Sequence, residues 1–109
     1  MGEKNSPCVV ITTCASAEEA DFLASELIKN RLAACVQILS VQSHYWWDEA
    51  VNRSQEKQLL IKTMESRYAE LERKILEKHS YECPEIILLP IEGGFSGYLD
   101  WIKAESSEE

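Results

Sequence analysis

The chain is poor in the residues that build nucleic-acid sites, phosphate loops and membrane spans. It carries 11 basic residues against 19 acidic ones, a net charge of −8, so it lacks the basic patch that nucleic acids and anionic membranes require. Only 4 of its 109 residues are glycine, and no glycine-rich phosphate loop follows a strand-like run. No apolar run approaches the ~20 residues of a membrane-spanning helix. We therefore expect neither a nucleic-acid partner nor a membrane partner.

Cysteine is present, but not in a pattern that predicts a disulfide scaffold or a zinc cluster. The four cysteines show no Cys-x-x-Cys spacing: Cys8, Cys14, Cys35 and Cys83. Cys14 and Cys35 lie in or beside apolar runs, which is typical of small buried hydrophobic side chains. The N-terminal residues also lack the apolar segment of a signal peptide. We expect reduced thiols in a cytoplasmic protein.

The first third of the chain predicts a strand followed by a helix. Residues 8–13 form a short β-branched run that is typical of a buried strand. The spacing of Ser16 and Glu19 predicts a capping box, in which Ser16 accepts from the Glu19 amide and the Glu19 carboxylate reaches back. Apolar positions then recur with a helical period: Ala20, Leu23, Ala24, Leu27 and Ile28. Asn30 is the predicted left-handed stop.

Residues 35–63 contain two β-rich runs that predict a long β-hairpin. We place its turn within residues 48–55, where Asn52-Arg53-Ser54 offers turn residues. An arm of about a dozen residues at ~3.3 Å each makes the hairpin about 40 Å long, whereas a 14-residue helix covers only ~21 Å. The far end carries Tyr45, Trp46 and Trp47, which are costly to leave in water. This end needs a cover that the domain itself cannot supply.

The remaining segments predict a second helix, a second apolar strand and a closing helix. Ser66 is the predicted cap of the second helix. The inward positions of that helix are Tyr68, Leu71, Ile75 and Leu76. Residues 85–89 form the apolar strand, and Pro90 limits its pairing to a sheet edge or to the end of the strand. Residues 98–102 are predicted to form the closing helix.

The element order predicts the fold. Two strand–helix–strand units joined by a hairpin make an α+β, ferredoxin-like βαββαβ sandwich, here with a long β-hairpin and a C-terminal helix. The length fits one domain over residues 1–109. Residues 1–7 and 105–109 are predicted to be flexible tails.

Five segments of the chain resemble the CutA family, which is named for divalent-cation tolerance. The segments are 32–36, Tyr45-Trp46-Trp47, Glu56 with Lys62 and Thr63, 79–86, and 98–102. The resemblance covers about residues 8 to 104 and implies a homotrimer whose hairpins pack across subunit boundaries. It also implies a role in the response to, or binding of, metal ions such as copper. It brings no catalytic reaction and no required cofactor.

The sequence departs from the family pattern at several positions. Ser80 stands where the family commonly has proline, and Glu49 stands where a glycine is usual. The resemblance implies that the copper ligands of bacterial relatives fall on three positions here: Thr12, Lys78 and Glu85. Only the carboxylate is retained, and His79 is the neighbouring substitute for the imidazole.

Candidate metal ligands gather in the bend after the second predicted helix. His79, Cys83 and Glu85 combine an imidazole, a thiol and a carboxylate, which suits a weak, exchangeable Cu(II) or other divalent ion. A structural alternative stays open. In it, His79 caps the helix end and Glu85 pairs with Lys62 across the sheet.

Aromatic side chains are candidate anchors of a trimer interface or, alternatively, walls of a ligand pocket. They are Tyr45, Trp46, Trp47 and Trp101. Glu56 and Lys62 are candidates for an intersubunit pair in a cleft. No Ser or Cys nucleophile has a recognisable base beside it, so we do not expect an enzyme. Two hypotheses remain: a trimeric divalent-cation tolerance protein, and a stable trimeric scaffold or small-molecule sensor of PII-like architecture.

Overall fold

A computed structural model describes residues 5–107, which form one four-stranded sheet and three α-helices. The elements are β1 Pro7–Cys14, α1 Ala17–Lys29, β2 Cys35–Trp47, β3 Ala50–Met64, α2 Tyr68–Lys78, β4 Ile86–Pro90 and α3 Ser96–Glu105. The strand order is β2-β3-β1-β4 and every pairing is antiparallel, which confirms the predicted ferredoxin-like fold. β4 is an edge strand, as Pro90 predicted. None of the helices in the described residues is long and apolar enough to cross a membrane.

The hydrophobic core lies between the sheet and the two helices α1 and α2. The strands contribute alternate residues that are fully buried, among them Cys8, Val10, Leu59 and Ile61, and the helices contribute Ala20, Leu23, Leu27, Leu71 and Ile75. Burying each Leu or Ile side chain contributes about 2 kcal/mol to folding. Of the predicted inward positions on α2, Tyr68 is only partly buried. The prediction for Leu76 is wrong, because this side chain is 54% exposed.

Helix α1 ends in a left-handed residue, but one position later than predicted. Asn30 has φ −91°, and Arg31 has φ 58°. The amides of Arg31 and Leu32 donate to the carbonyls of Ile28 and Leu27 at 3.1 and 2.9 Å, which is the Schellman pattern. This closure turns the chain directly towards β2.

Ser66 does not cap α2, contrary to the prediction. A short 3₁₀ turn, Glu65–Arg67, precedes the helix, and the Ser66 amide donates to Asn5 Oδ1 at 3.0 Å. The predicted tails also overlap regular structure: Pro7 opens β1, and Ser106, which follows α3, is 1% exposed. The predicted tail positions 1–4 and 108–109 lie outside the described residues.

Strands β2 and β3 pair without interruption from Cys35 with Lys62 to Trp47 with Ala50. β1 covers only residues 57–64 of β3. Residues 42–55 are therefore a two-stranded extension, which we call the distal ribbon. The molecule measures 44 × 26 × 25 Å, and its long dimension matches the predicted hairpin length. A two-stranded ribbon is at best marginally stable alone in water, so this end depends on other contacts.

The hairpin turn consists of Asp48 and Glu49, with φ values of 55° and 61°. Positive φ at both central residues is the signature of a type I′ turn, whose twist matches that of the strands. The turn lies within the predicted stretch 48–55, but residues 52–54, which offered turn chemistry, lie inside β3. A left-handed conformation costs a non-glycine residue roughly 1–2 kcal/mol. The turn is thus strained where the family pattern has glycine, at Glu49.

Candidate functional site

A cavity of about 740 Å³ lies between the distal ribbon and the loop that joins α2 to β4. The hairpin contributes Ser43, His44, Tyr45, Trp47 and Glu56, the loop contributes Ser80, Tyr81, Glu82, Cys83 and Glu85, and β1 contributes Thr13. Among the described residues that line it there are three aromatic rings of Tyr and Trp and three carboxylates, but no Lys or Arg. Such a wall attracts cations and repels anions.

The loop wall of the cavity is held in place by His79. Its ring is fully buried and its Nε2 lies 2.7 Å from the Thr13 carbonyl oxygen, to which it donates. Its Nδ1 accepts from the Tyr81 amide at 3.0 Å. These two partners assign the ring proton to Nε2 and leave no free nitrogen. His79 therefore joins the end of β1 to the start of the loop.

A second anchor of the same loop comes from α1. The Ser16 hydroxyl accepts from the Glu19 amide at 3.1 Å, as the capping-box pattern predicted. The Glu19 carboxylate is used differently: it accepts from the Ser80 amide at 2.8 Å and from the Ser80 hydroxyl at 3.0 Å. Ser80 stands where the family commonly has proline. It donates two hydrogen bonds to the carboxylate of Glu19, in the first turn of α1.

Tyr81 connects the loop to the hairpin across the floor of the cavity. Its hydroxyl donates to Glu56 Oε2 at 2.7 Å, and its ring lies 4.9 Å from that of His79, centroid to centroid. Burial, together with the bond to Glu56, raises the pKa of Tyr81 well above its usual value. Tyr81 therefore remains a hydrogen-bond donor at all physiological pH values. Glu56 itself is only 9% exposed.

Glu85 lies on the same wall, close to Glu56. Partial burial, and secondarily the negative charge of Glu56, raise the pKa of Glu85 above its ordinary value of 4.5. Both causes disfavour the ionised carboxylate. A cation beside Glu85 would reverse this effect, because opposite charge favours ionisation.

The structure does not bring the predicted metal ligands into one set. Within residues 5–107, potential ligand atoms of three side chains lie within 4.8 Å of one another at Cys14, Glu19 and His79. Cys83 and Glu85 do not belong to this group and line the cavity instead. The predicted trio of His79, Cys83 and Glu85 is therefore divided between a buried layer and the cavity wall.

The group of Cys14, Glu19 and His79 is not arranged to chelate one ion. Cys14 Sγ lies 4.0 Å from His79 Nε2, whereas a Glu19 oxygen lies 3.6 Å from Nδ1, on the other side of the ring. Burial raises the pKa of the Cys14 thiol to about 12, and a metal-binding thiol must be deprotonated. An ion here would also displace the hydrogen bonds of the imidazole. The group is a structural network.

The three positions that the family resemblance implies as copper ligands are also separated. Thr12 is fully buried, and in the described residues its hydroxyl has no hydrogen-bond partner. Lys78 is exposed, with its amine 6.0 Å from the centroid of the Phe22 ring. Of these three positions, only Glu85 lines the cavity.

The predicted interface aromatics divide between two surfaces. Tyr45 and Trp47 line the cavity and are 41% and 51% exposed, and Tyr45 also bonds Ser54 at 3.1 Å between the two oxygens. Trp46 points to the opposite face, because successive side chains alternate along a strand. It is 73% exposed beside its cross-strand neighbour Val51, which is 64% exposed.

The remaining predicted residues lie outside this cavity or pair differently. The Lys62 amine donates to Gln37 Oε1 at 2.7 Å and approaches the Tyr98 ring at 6.0 Å, rather than pairing with Glu85. Trp101 stacks on Tyr98 with centroids 5.5 Å apart. Within the subunit, Glu56 bonds Tyr81 instead of Lys62.

Sequence reasoning missed the roles of Glu19, Ser80 and Thr13 in building this site. The capping-box pattern assigns the Glu19 carboxylate a partner within its own helix turn. It therefore gives no signal for the hydrogen bonds with Ser80. The polar run from His79 to Glu85 does signal the bend. Its partners, 61 and 66 residues away along the chain, have no local signal.

Comparison with known proteins gives a consistent result. The family model described as CutA1 divalent ion tolerance protein matches residues 8–105. A chloroplastic CutA 1 protein of Oryza sativa subsp. japonica is 41% identical over 92% of this chain, which spans 57% of that relative. The divalent-cation tolerance protein CutA of Archaeoglobus fulgidus is 37% identical over 85% of this chain and 91% of its own length.

Solved structures agree with the sequence comparisons. The A. fulgidus structure, described as a periplasmic divalent cation tolerance protein, superposes with a TM-score of 0.90 at 34% identity and covers 93% of this chain and 99% of its own. The Cut A1 structure from Thermus thermophilus gives a TM-score of 0.89 at 38% identity, with the same two coverages.

Proposed function

The chain belongs to the CutA1 divalent ion tolerance family, and on that premise we propose that it serves the tolerance of divalent cations. The observation that carries this proposal is the family match over residues 8–105, which includes nearly every strand and helix of the fold. The relatives from A. fulgidus and T. thermophilus carry the name divalent-cation tolerance protein. The acidic cavity supports the proposal, since it favours cations.

Direct metal binding is the form of this role that the cavity supports. Cys83 and Glu85 line it and offer a thiol and a carboxylate to an ion such as Cu(II) or Zn(II). His79 is not among the ligands, because its ring is buried and both nitrogens are occupied. With few protein ligands, water completes the coordination, so binding is weak and exchangeable.

Calorimetric titration of Cu(II) and Zn(II) into metal-stripped protein tests this form. The wild type should give saturable heat, and the variant Cys83→Ser/Glu85→Gln should lose most of it. The matched control Cys35→Ser/Glu92→Gln makes the same chemical changes outside the cavity and should bind as the wild type does. Saturable binding that survives in the first variant, or that both variants lose equally, refutes the assignment.

The proposed assembly is a homotrimer in which a neighbouring subunit covers each distal ribbon. Two observations support it: residues 42–55 have no third strand, and Trp46 and Val51 expose a continuous apolar face. Closed symmetry is the usual way for identical chains to cover such a face. Light scattering should give three times the subunit mass of 12.4 kDa at micromolar concentration. A monomeric mass would refute the proposal.

A binding role without catalysis is proposed as well. The thiol and imidazole that come closest, Cys14 and His79, lie in the buried layer, where the thiol is held protonated by a pKa of about 12. A nucleophilic role requires an accessible thiolate. The four cysteines are unpaired, which favours a reducing compartment such as the cytoplasm. Expression of a tagged chain in its own host, followed by fractionation, tests the compartment.

A further inference from the structure

The cavity is larger and more varied than a metal ion needs. Its volume of about 740 Å³ is within the usual range of small-molecule sites, roughly 300–1,000 Å³. Tyr45, Trp47 and Tyr81 give it aromatic walls, and Thr13 and Ser43 add hydroxyl groups. Aromatic walls with a few polar groups are typical of sites for organic ligands.

The negative charge of the cavity favours an organic ligand that is positively charged. Glu56, Glu82 and Glu85 line it without a Lys or Arg among the described lining residues. Glu56 is nine-tenths buried, and Tyr81 occupies only its Oε2. Within residues 5–107 its Oε1 has no hydrogen-bond partner. Because Thr12 Oγ1 is the buried side-chain polar atom that lacks a partner in this part of the chain, Glu56 Oε1 is reached by solvent and can accept from a bound donor.

The spacing of the carboxylates favours an extended cation over a bare ion. No group of three potential ligand atoms within 4.8 Å of one another includes Glu56, Glu82 or Glu85 in the described part of the chain. An ion that binds at ~2.0–2.6 Å cannot contact three such separated groups at once. A molecule with two ammonium groups joined by methylenes can reach separated carboxylates, while its methylenes pack on the rings.

We propose that this cavity binds an aliphatic diamine or polyamine, with its ammonium groups on Glu56 and Glu85 and its methylene chain against Tyr45, Trp47 and Tyr81. The Glu56 Oε1 can accept a charge-assisted hydrogen bond from one ammonium group, and a cation beside Glu85 offsets the repulsion between the two carboxylates. This role goes beyond divalent-cation tolerance and does not depend on it.

Calorimetric titration of putrescine into the full chain, with EDTA present to remove metal ions, tests the proposal. We expect saturable binding, at least about tenfold weaker for n-butylamine, which keeps the methylenes but loses one ammonium. Glu85→Gln and Glu56→Gln should each weaken putrescine binding about tenfold, since each removes one charge-assisted hydrogen bond. The exposed control Glu92→Gln should leave it unchanged. Quenching of tryptophan fluorescence that Trp47→Phe abolishes would place the ligand against that wall.

Three results would overturn the proposal: no saturable heat up to about 10 mM putrescine, equal affinity for n-butylamine, or equal weakening by Glu92→Gln. The last would mean a diffuse attraction to the acidic surface. Thermal melting of each variant without ligand separates lost binding from lost folding. Because EDTA excludes metal ions, failure here leaves the metal proposal intact, and failure of the metal titration leaves this one intact.

Discussion

The two halves of the β2–β3 hairpin have opposite relations to solvent, although the same two strands form both. In the half that β1 and the helices cover, Leu59 and Ile61 are fully buried. In the distal ribbon, Trp46 and Val51 are 73% and 64% exposed. The distal ribbon contains more polar residues, among them Asn52, Arg53 and Ser54, but it also carries large apolar side chains. The apolar side chains of the two halves differ in whether β1 and the helices cover them.

This difference shows that local sequence specifies the strand, whereas the layer packed on the strand specifies its burial. The covered half belongs to the folding core of its own subunit. The distal ribbon contributes little to that core and carries two surfaces, the cavity wall with Tyr45 and Trp47 and the opposite face with Trp46. Variants in each half should therefore change different measurements.

The largest effect is expected from Trp46→Ala on assembly. Removing an exposed anchor of this size should weaken the trimer by on the order of 3 kcal/mol per interface, as seen for interface hot spots. Light scattering over a dilution series measures this. Phe22→Ala, which removes an exposed aromatic from α1, is the matched control and should leave the trimer unchanged. If the two variants assemble equally well, the distal ribbon is not the interface.

The next effect concerns the buried anchor of the cavity loop. His79→Ala leaves the Thr13 carbonyl and the Tyr81 amide without partners, so the free energy of unfolding should fall by about 3 kcal/mol. Urea denaturation measures this. The other histidine, His44, is exposed on the distal ribbon, and His44→Ala should change stability by less than about 0.5 kcal/mol. Similar losses for both variants would contradict the assigned role of His79.

A smaller effect of opposite sign is expected at the hairpin turn. Glu49→Gly removes the cost of a left-handed residue at φ 61° and should raise the free energy of unfolding by about 1 kcal/mol. The control Glu18→Gly, in the first turn of α1, should lower it by about 0.5–1 kcal/mol, because glycine weakens a helix. Denaturant midpoints measure both. A destabilised Glu49→Gly would show that the turn is not strained.

The smallest effect depends on pH and concerns Glu85. Its pKa in the folded state is raised above 4.5, so the ionised group destabilises the fold at neutral pH, and this penalty disappears as pH falls through the raised pKa. Glu85→Gln should therefore be slightly more stable than the wild type at about pH 7 and equal to it below about pH 4.5. The exposed control Glu92→Gln should not gain stability over the wild type at pH 7. A Glu85→Gln variant that is less stable than the wild type at pH 7 would contradict this prediction.

The sequence alone predicts the structural features that depend on residues close together along the chain. The element order, the helical stripe of α1 and the Ser16 cap all follow from spacings of four residues or fewer. The turn falls on Asp48 and Glu49, at the start of the predicted stretch 48–55. Aspartate tolerates a left-handed backbone but glutamate rarely adopts one, so the common turn residue Asn52 is the stronger local signal.

The candidate site could be predicted only in part. The bend from His79 to Glu85 is visible as a polar run, but the bond of His79 to Thr13 joins residues 66 apart. Such a contact is set by the sheet register and by the crossing of α2, and a single sequence does not encode either directly. The burial of His79, which removes it from the metal ligands, follows from the same contact.

The uninterrupted register of β2 and β3 also determines which side chains lie on each face of the distal ribbon. Trp46 and Trp47 point to opposite sides because successive side chains alternate along a strand. Since β2 and β3 pair without a bulge from Cys35 to Trp47, each face of the ribbon continues the same face of the covered half. A single inserted residue between the covered half and the ribbon would exchange the two faces. The anchor would then point into the cavity, and the cavity wall would turn outward. The proposed interface and the proposed ligand site therefore depend on one count of residues, and an insertion or deletion there would alter both together.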